Sequence, residues 1–423
     1  MLNIDFRRLV ASANQDSEFP RAARYWNGLL AFTIGADTTV LRAVDGRIEL
    51  ASAGSVLGAH DIQIAAAARD WEMFLRPVPP AGWHDFFNSK SFTVSADMLD
   101  FGPYYAAIRR LTALMTEQLH GPRPSATVTQ PPPGTHDDAV GRYVYLDVQG
   151  STYRVYYEST GQGIPLVLLH TAGADSRQYR HLLENQDLQD RYRLIAVDLP
   201  YHGRSLPPTT KEWWKEQYLL TRDFLLEFFD TFNATLSLER PVFMGCSVGG
   251  MLAPDLAYYR PGVYRAVIAL NGALAMPEAN LAKPDKEQSW YHPRVTSEWK
   301  ASSMLGFMAP HSPEVYRRET AWVYSQSSPP VFAGDIHYYM RDHVLTAEQA
   351  ATIDTALTGV YLLTGEYDPL AMSGLSQRLA DAVPGSHFEI NEAIGHFGPA
   401  ENPEAFWAAV EPVLEEIALK FPN

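Results

Sequence analysis

The sequence predicts an α/β fold: a doubly wound, mostly parallel sheet with a helical insertion, preceded by a small α+β domain. Three observations predict it. From Arg142 onward, short apolar runs of strand length alternate with stretches of helical periodicity, the pattern of parallel strands joined by crossover helices. Around Ser247 an apolar run, Pro241 to Met244, passes through Gly245-Cys246-Ser247-Val248-Gly249 straight into a helical pattern. Ahead of both lies GPRPSATVTQPPPG, Gly121 to Gly134, whose prolines and lack of periodicity make it an extended connector. The expected organisation is therefore a domain over residues 1–120, a linker over 121–134, and a second domain over 135–423 with its insertion at about 273–356.

Composition limits what the chain can do. Its 423 residues are long for one domain, and with 46% hydrophobic and 20% charged residues it has the make-up of an ordinary globular protein. The formal net charge of −15 repels phosphate backbones and anionic headgroups, so nucleic acids and membrane surfaces are not expected partners. One cysteine, Cys246, forbids an intramolecular disulfide and permits a reducing compartment. The first residues, MLNIDFRRLVASANQDSEF, lack the apolar core of a secretion signal, and no stretch has the length of a membrane span. A cytoplasmic location is the expectation.

In the first domain, Leu29 to Ile34 and Thr39 to Val44 read as strands, and Asp45-Gly46 turns into a third, Arg47 to Ala51. Ile62 and Ile64 alternate with polar residues before the helical spacing of Ala65 to Leu75, and an amphipathic helix spans about Tyr104 to Leu119. With Asp70-Trp71 opening a helix before a proline-rich turn, this half of the segment faintly resembles the sterol-carrier-like lipid-binding domains. The other reading is a dimerisation or lid domain, with a homodimer as one outcome, in which Trp26, Trp71, Trp83, Phe86 and Phe87 form the core.

In the second domain, Tyr143 to Val148 and Tyr153 to Tyr157 flank Gly150 as a hairpin. Pro165 to Leu169 is an apolar run ending in His170-Thr171-Ala172-Gly173. Arg193 to Val197 is followed by Asp198-Leu199-Pro200-Tyr201-His202-Gly203-Arg204-Ser205, and Trp213 to Phe232 reads as one helix with Leu219, Leu220, Phe224, Leu225 and Phe228 on one face. After the Ser247 turn come the strand Ala266 to Leu270 and an insertion from Gly272 to about Ala356. This insertion is rich in aromatics and methionines, among them Trp290, Tyr291, Trp299, Tyr324 and Tyr339. Gly359 to Thr364 leads into Gly365-Glu366-Tyr367-Asp368-Pro369. Phe388 to Ile390 precedes Ala393-Ile394-Gly395-His396-Phe397-Gly398-Pro399 and the closing helix Pro403 to Leu419.

A serine at a sharp strand-to-helix corner needs small neighbours, and the corner places the Val248 N–H at a helix N-terminus, where negative charge is favoured. The ordered set H-T-A-G, D-L-P-Y-H-G-R-S, G-C-S-V-G, then an acid and a histidine segment, resembles the α/β-hydrolase superfamily over residues 140–423. The resemblance implies Ser247 as nucleophile, Asp368 as the acid with Glu366 as its local rival, and His396 as base. It also implies Ala172 N–H as a second oxyanion donor beside Val248, with Thr171 standing where the family has glycine, and His170 and His202 as structural histidines. It makes the insertion a helical cap. No metal-ligand spacing or phosphate-cradling loop is present, and this chemistry needs no cofactor.

The expected activity is serine-dependent cleavage of an apolar or aromatic ester or lactone, so the expected partner is a small apolar carbonyl substrate. A carbon–carbon bond hydrolase using the same three residues is the rival, and a non-catalytic binding protein on this fold is a third reading. Haloalkane dehalogenase and epoxide hydrolase chemistry of this fold requires an aspartate nucleophile, which position 247 lacks.

Overall fold

Two turns and a run of β-branched residues start the first sheet. In a computed structural model of the chain, β1 (Asn27–Ile34), β2 (Asp37–Val44) and β3 (Arg47–Leu50) form an antiparallel meander. Asp45 and Gly46, at φ 45° and 84°, make the tight turn that the sequence requires there. β4 (Ile62–Ala66) pairs parallel with β1, and β5 (Thr93–Ser95) closes the order β3-β2-β1-β4-β5. The structure describes residues 2–123, 128, 131–277, 292, 294–370 and 372–421. Trp290 and Tyr291 of the insertion, and residues 124–127 and 129–130 of the connector, lie outside the described residues.

Three helices pack on this sheet: α1 (Phe6–Gln15), α2 (Ala68–Phe74) and α3 (Tyr105–His120). The core between them is aromatic. Trp26, Trp71 and Phe86 are buried, whereas Trp83 is half-buried and Phe87 sits at the edge of exposure. Trp71 meets Phe32, Phe74 and Phe92 edge-on, the geometry that ring quadrupoles favour.

The described residues divide into two compact units, Met1–Thr127 with Lys283–Pro310, and Val128–Ala282 with His311–Asn423. The long insertion is thus shared between them. In the first unit, the helix Thr296–Met304 lies against α3, and Trp299, only 5% exposed, packs edge-on against Phe101 and Tyr105. The Gly306 carbonyl accepts from Asn88 Nδ2 at 3.2 Å, beside the buried Asp85 that takes hydrogen bonds from Tyr105 and Arg109. A Cβ at Gly306 would meet the Asp85 carboxyl at 2.7 Å, so the segment fits closely.

The second unit is built on eight strands in the order β13-β12-β11-β10-β8-β9-β7-β6. β6 (Val140–Val148) and β7 (Ser151–Thr160) are antiparallel at one edge. β8 (Ile164–Leu169), β9 (Tyr192–Val197), β10 (Val242–Cys246), β11 (Ala266–Leu270), β12 (Gly359–Gly365) and β13 (His387–Asn391) run parallel. The alternate residues Leu166, Leu168, Leu194, Val242, Met244, Ile268 and Leu363 face Phe406, Val410, Leu414 and Ile417 of the closing helix. On the other face, Phe243 meets Phe229 of α4 (Arg222–Thr235). Both faces are covered, which is why these strands read as continuous apolar runs.

One expected element differs. Trp213 to Phe232 is not a single helix: a short turn at Trp213–Lys215 is followed by extended chain, and α4 begins only at Arg222. Thr221 is its N-cap, with extended backbone and a side chain accepting from Phe224 N, and the Leu220 amide is spent on the Gly334 carbonyl. Leu219 is left exposed at 44%. Among the described residues no helix is long and apolar enough to cross a membrane.

Replacing Trp299 with alanine should destabilise the first unit by about 3–5 kcal/mol, the cost of emptying a large aromatic site. Urea unfolding of the full chain reads this, and a loss below about 1 kcal/mol would show that residues 294–310 are not part of that core.

Candidate active site

β10 lies between β8 and β11, and the chain leaves β8 toward β9 on one side before returning as β10 on the other. The carboxyl ends of β8 and β10 therefore flank a switch point, where open sheets of this kind leave a crevice. Ser247 stands there. Its backbone is at φ 56° and ψ −106°, a strained conformation for a residue with a side chain, and α5 (Val248–Tyr259) starts with the next residue.

Close backbone contact holds that strain in place. A Cβ on Gly245 would come within 2.5 Å of the Gly249 Cα, and one on Gly250 within 2.2 Å of the Leu270 carbonyl oxygen. The Ser247 amide donates to the same Leu270 carbonyl at 3.0 Å, which fixes the corner to β11. Cys246, fully buried next to it, has its thiol pKa pushed up by desolvation, so it stays protonated; its Sγ donates to the His396 carbonyl at 3.0 Å.

The acid and the histidine come from the next strands along. Asp368 follows β12 and His396 follows β13, and His396 Nδ1 lies 2.8 Å from Asp368 Oδ2. A carboxylate only accepts, so this contact keeps the proton on Nδ1 and the lone pair on Nε2. Ser247, Asp368 and His396 are each 4% exposed or less. Glu366, the rival acid, is exposed and lies at 3.5 Å from the Ala393 amide.

Sequence reasoning missed what holds the histidine loop. Glu401, wholly buried, accepts from Gly395 N at 2.8 Å and Phe397 N at 3.0 Å, one amide on each side of His396, and from Ser312 Oγ at 3.0 Å. Asn271, at the end of β11, donates from Nδ2 to the His396 carbonyl at 2.9 Å and accepts from Gly365 N at 3.0 Å. An acid five residues after the histidine was the only hint of the first, and nothing in the sequence marked the second.

The loop after β8 is equally constrained. Thr171 N donates to Gln178 Oε1 at 2.8 Å, and Gly173 N donates to Asp335 Oδ2 at 2.7 Å. Between them, the Ala172 amide has no acceptor among the described residues, and the same holds for Val248 at the start of α5. The Thr171 hydroxyl is hydrogen-bonded to Tyr324 on α6 (Glu314–Ser325). Asp335, on α7 (Pro329–His337), also accepts from His202 Nε2 at 2.7 Å and from the Tyr218 hydroxyl at 3.0 Å.

The two histidines behind this loop meet different hydrogen-bond partners. His170 donates from Nδ1 to the Thr171 carbonyl and accepts the Leu199 amide on Nε2, so it is neutral, and burial with His202 nearby lowers its pKa to about 4. His202 places Nδ1 on the Pro200 carbonyl and Nε2 on Asp335, two acceptors, which requires a proton on each nitrogen. Burial alone would lower its pKa, but the Asp335 carboxylate outweighs that and raises it. Both rings spend each nitrogen on a hydrogen bond within the fold. Among the described residues no group of three His, Cys, Asp or Glu side chains is placed to hold a metal ion.

A small cleft bordered by Ala174, Arg177, Gln178, Glu319, Tyr324 and Phe397 adjoins the site without reaching Ser247 or His396.

Asp335→Asn removes the counter-charge of a buried imidazolium and should cost about 3–5 kcal/mol at neutral pH and below. A histidine whose pKa is raised on folding adds stability below its unfolded value near 6.5 and loses it as pH rises through the folded value, so the penalty should shrink on the alkaline side. Denaturant midpoints across pH measure this, and a pH-independent penalty would contradict the charge assignment.

Comparison with known proteins agrees with this framework. The model of the alpha/beta hydrolase family matches residues 166–409, more than half of the chain, and leaves residues 1–120 outside it. Epoxide hydrolase 4 of Mus musculus is 28% identical over 148 residues, 34% of this chain and 39% of that protein, so the chain spans well under two thirds of that relative's length. Among solved structures, a thermophilic esterase from Thermogutta terrifontis is similar at TM-score 0.54 and 18% identity, covering 65% of this chain and 99% of that one. The enol-lactonase from Burkholderia xenovorans LB400 is similar at TM-score 0.55 and 18% identity, over 64% and 100%. Such identities show shared fold alone, but with the family match, the strand order and the serine corner after β10, they lead to one conclusion: the chain belongs to the alpha/beta hydrolase family.

Proposed function

We propose that this protein is a serine hydrolase that cleaves an apolar or aromatic ester or lactone through an acyl-enzyme. The observation that carries the reading is the buried 2.8 Å contact between His396 and Asp368, on the same rim of the sheet as the strained Ser247 corner.

In this mechanism His396 Nε2 takes the Ser247 proton as the hydroxyl oxygen attacks the carbonyl carbon. The oxyanion that forms is held by the amides of Ala172 and Val248, each donor worth about 3 kcal/mol by analogy with measured oxyanion-hole donors. His396 then returns the proton to the departing oxygen, and water, activated in the same way, releases the acid. Asp368 fixes the tautomer that makes this possible.

Aromatic rings near the site support an apolar substrate: Tyr324 lies against Phe397 at 5.4 Å between ring centroids, and Phe332 is close beside Gly173. The residues 311–356 of the insertion act in this reading as a cap over the nucleophile. The solved structures similar to this chain include ones described as an esterase and an enol-lactonase, which fits the same chemistry.

A fluorophosphonate probe should label Ser247, and Ser247→Ala should lose several orders of magnitude in turnover while keeping its unfolding transition. Product analysis on aryl esters, lactones and vinylogous diketones then decides the bond: an alcohol or hydroxy acid supports the present reading, a ketone with a dienoate supports carbon–carbon cleavage. An unlabelled serine would favour a binding protein.

A further inference from the structure

The insertion brings two tyrosines to the site, and their hydroxyls are engaged differently. Tyr324 is committed: its hydroxyl bonds Thr171 in the loop after β8, and the charges nearest it besides the Cys246 thiol are Asp335 and Asp175, behind that loop. Tyr339 is not. It is wholly buried, its hydroxyl is within reach of Ser247, and the carboxylate acting on it is Asp368, the partner of His396.

The Tyr339 hydroxyl nevertheless has no aligned hydrogen-bond partner. A buried phenol left in this state costs free energy in the resting protein, and such a group calls for an ordered water, a ligand or a catalytic role to complete it. The backbone there is also unusual. Residues Tyr338–Asp342 form a π-helical turn, closed by His343 N on the Tyr338 carbonyl at 2.9 Å. This widened turn sends two consecutive tyrosines inward: Tyr338 to Asp255 at 2.8 Å, and Tyr339 to the nucleophile.

We propose that Tyr339 is a further catalytic residue, donating a hydrogen bond to the departing oxygen of the substrate, and that the site is thereby built for esters of alkyl alcohols and for lactones rather than for activated aryl esters. The inference rests on the serine-hydrolase reading. In that reaction the departing oxygen leaves toward His396, which must reprotonate it, and Tyr339, with its hydroxyl near both Ser247 and the Asp368 partner of His396, is the uncommitted donor there. As the bond between the carbonyl carbon and this oxygen breaks, the electron pair goes to the oxygen, the proton comes from His396 Nε2, and Tyr339 keeps its own proton throughout. Burial beside Asp368 holds the phenol pKa well above 10, so it is a donor at every working pH.

A poor leaving group develops nearly a full negative charge and gains most from such a donor, whereas p-nitrophenolate needs little help. Tyr339→Phe should therefore lower kcat/KM about 100-fold for an alkyl ester and a lactone, and less than about threefold for the p-nitrophenyl ester of the same acid. Because the hydroxyl has no well-aligned partner in the free protein, the variant's Tm should equal or exceed that of the wild type. Fluorophosphonate labelling of Ser247, which expels fluoride, should proceed at a near-normal rate in the variant.

An equal loss for all leaving groups, no loss for any, or a lowered Tm would each overturn the role assigned to Tyr339 while leaving the labelled serine in place. Failure of the wild-type protein to label would instead overturn the serine-hydrolase reading, and this inference with it.

Discussion

The contact between glycine backbones and neighbouring strands around β10 is the constraint on which the site depends. Gly245 and Gly250 let α5 and β11 approach to distances no side chain would tolerate, and that approach fixes the Ser247 backbone in its left-handed conformation. The strain is local, and the surrounding fully buried parallel strands outweigh it. A looser corner would relax to ordinary backbone angles and turn the hydroxyl away from the rim where Asp368 and His396 meet.

Buried carboxylates then organise what surrounds the corner. Glu401 holds the amides flanking His396, and Asp335 holds a loop amide, an imidazolium and a phenol at once. A third, Asp255 on α5, accepts from His343 and Tyr338, whose segment comes from the far end of the insertion. A buried charge is costly unless its partners are complete, so each of these groups tolerates few alternative arrangements. All three tie residues of the insertion to the sheet, its loops or α5: Glu401 through Ser312, Asp335 itself, and Asp255 through Tyr338 and His343. The insertion is therefore part of the construction around Ser247.

The division of the insertion has a similar physical origin. Residues 294–310 carry Val295 and Trp299 into the aromatic core of the first unit, while 311–356 carry Tyr324, Asp335 and Tyr339 to the second. Both pieces are aromatic-rich in sequence. Composition gives no sign of which core each will join, because an apolar ring can be satisfied by any well-packed neighbour.

The amino-acid sequence by itself determined the parallel sheet, the serine corner and the order of Ser247, Asp368 and His396, because apolar periodicity and glycine placement are local signals. It also misjudged the start of α4, where the Leu220 amide is taken by a carbonyl 114 residues away in sequence, a competition that periodicity does not register. Only the tertiary structure put Asp368 and not Glu366 against His396, gave both nitrogens of His202 acceptors while His170 accepts an amide, and put the Tyr339 hydroxyl near Ser247. Those outcomes depend on which groups lie within about 3 Å of one another and on how completely water is excluded there, and neither quantity is a property of any short stretch of chain.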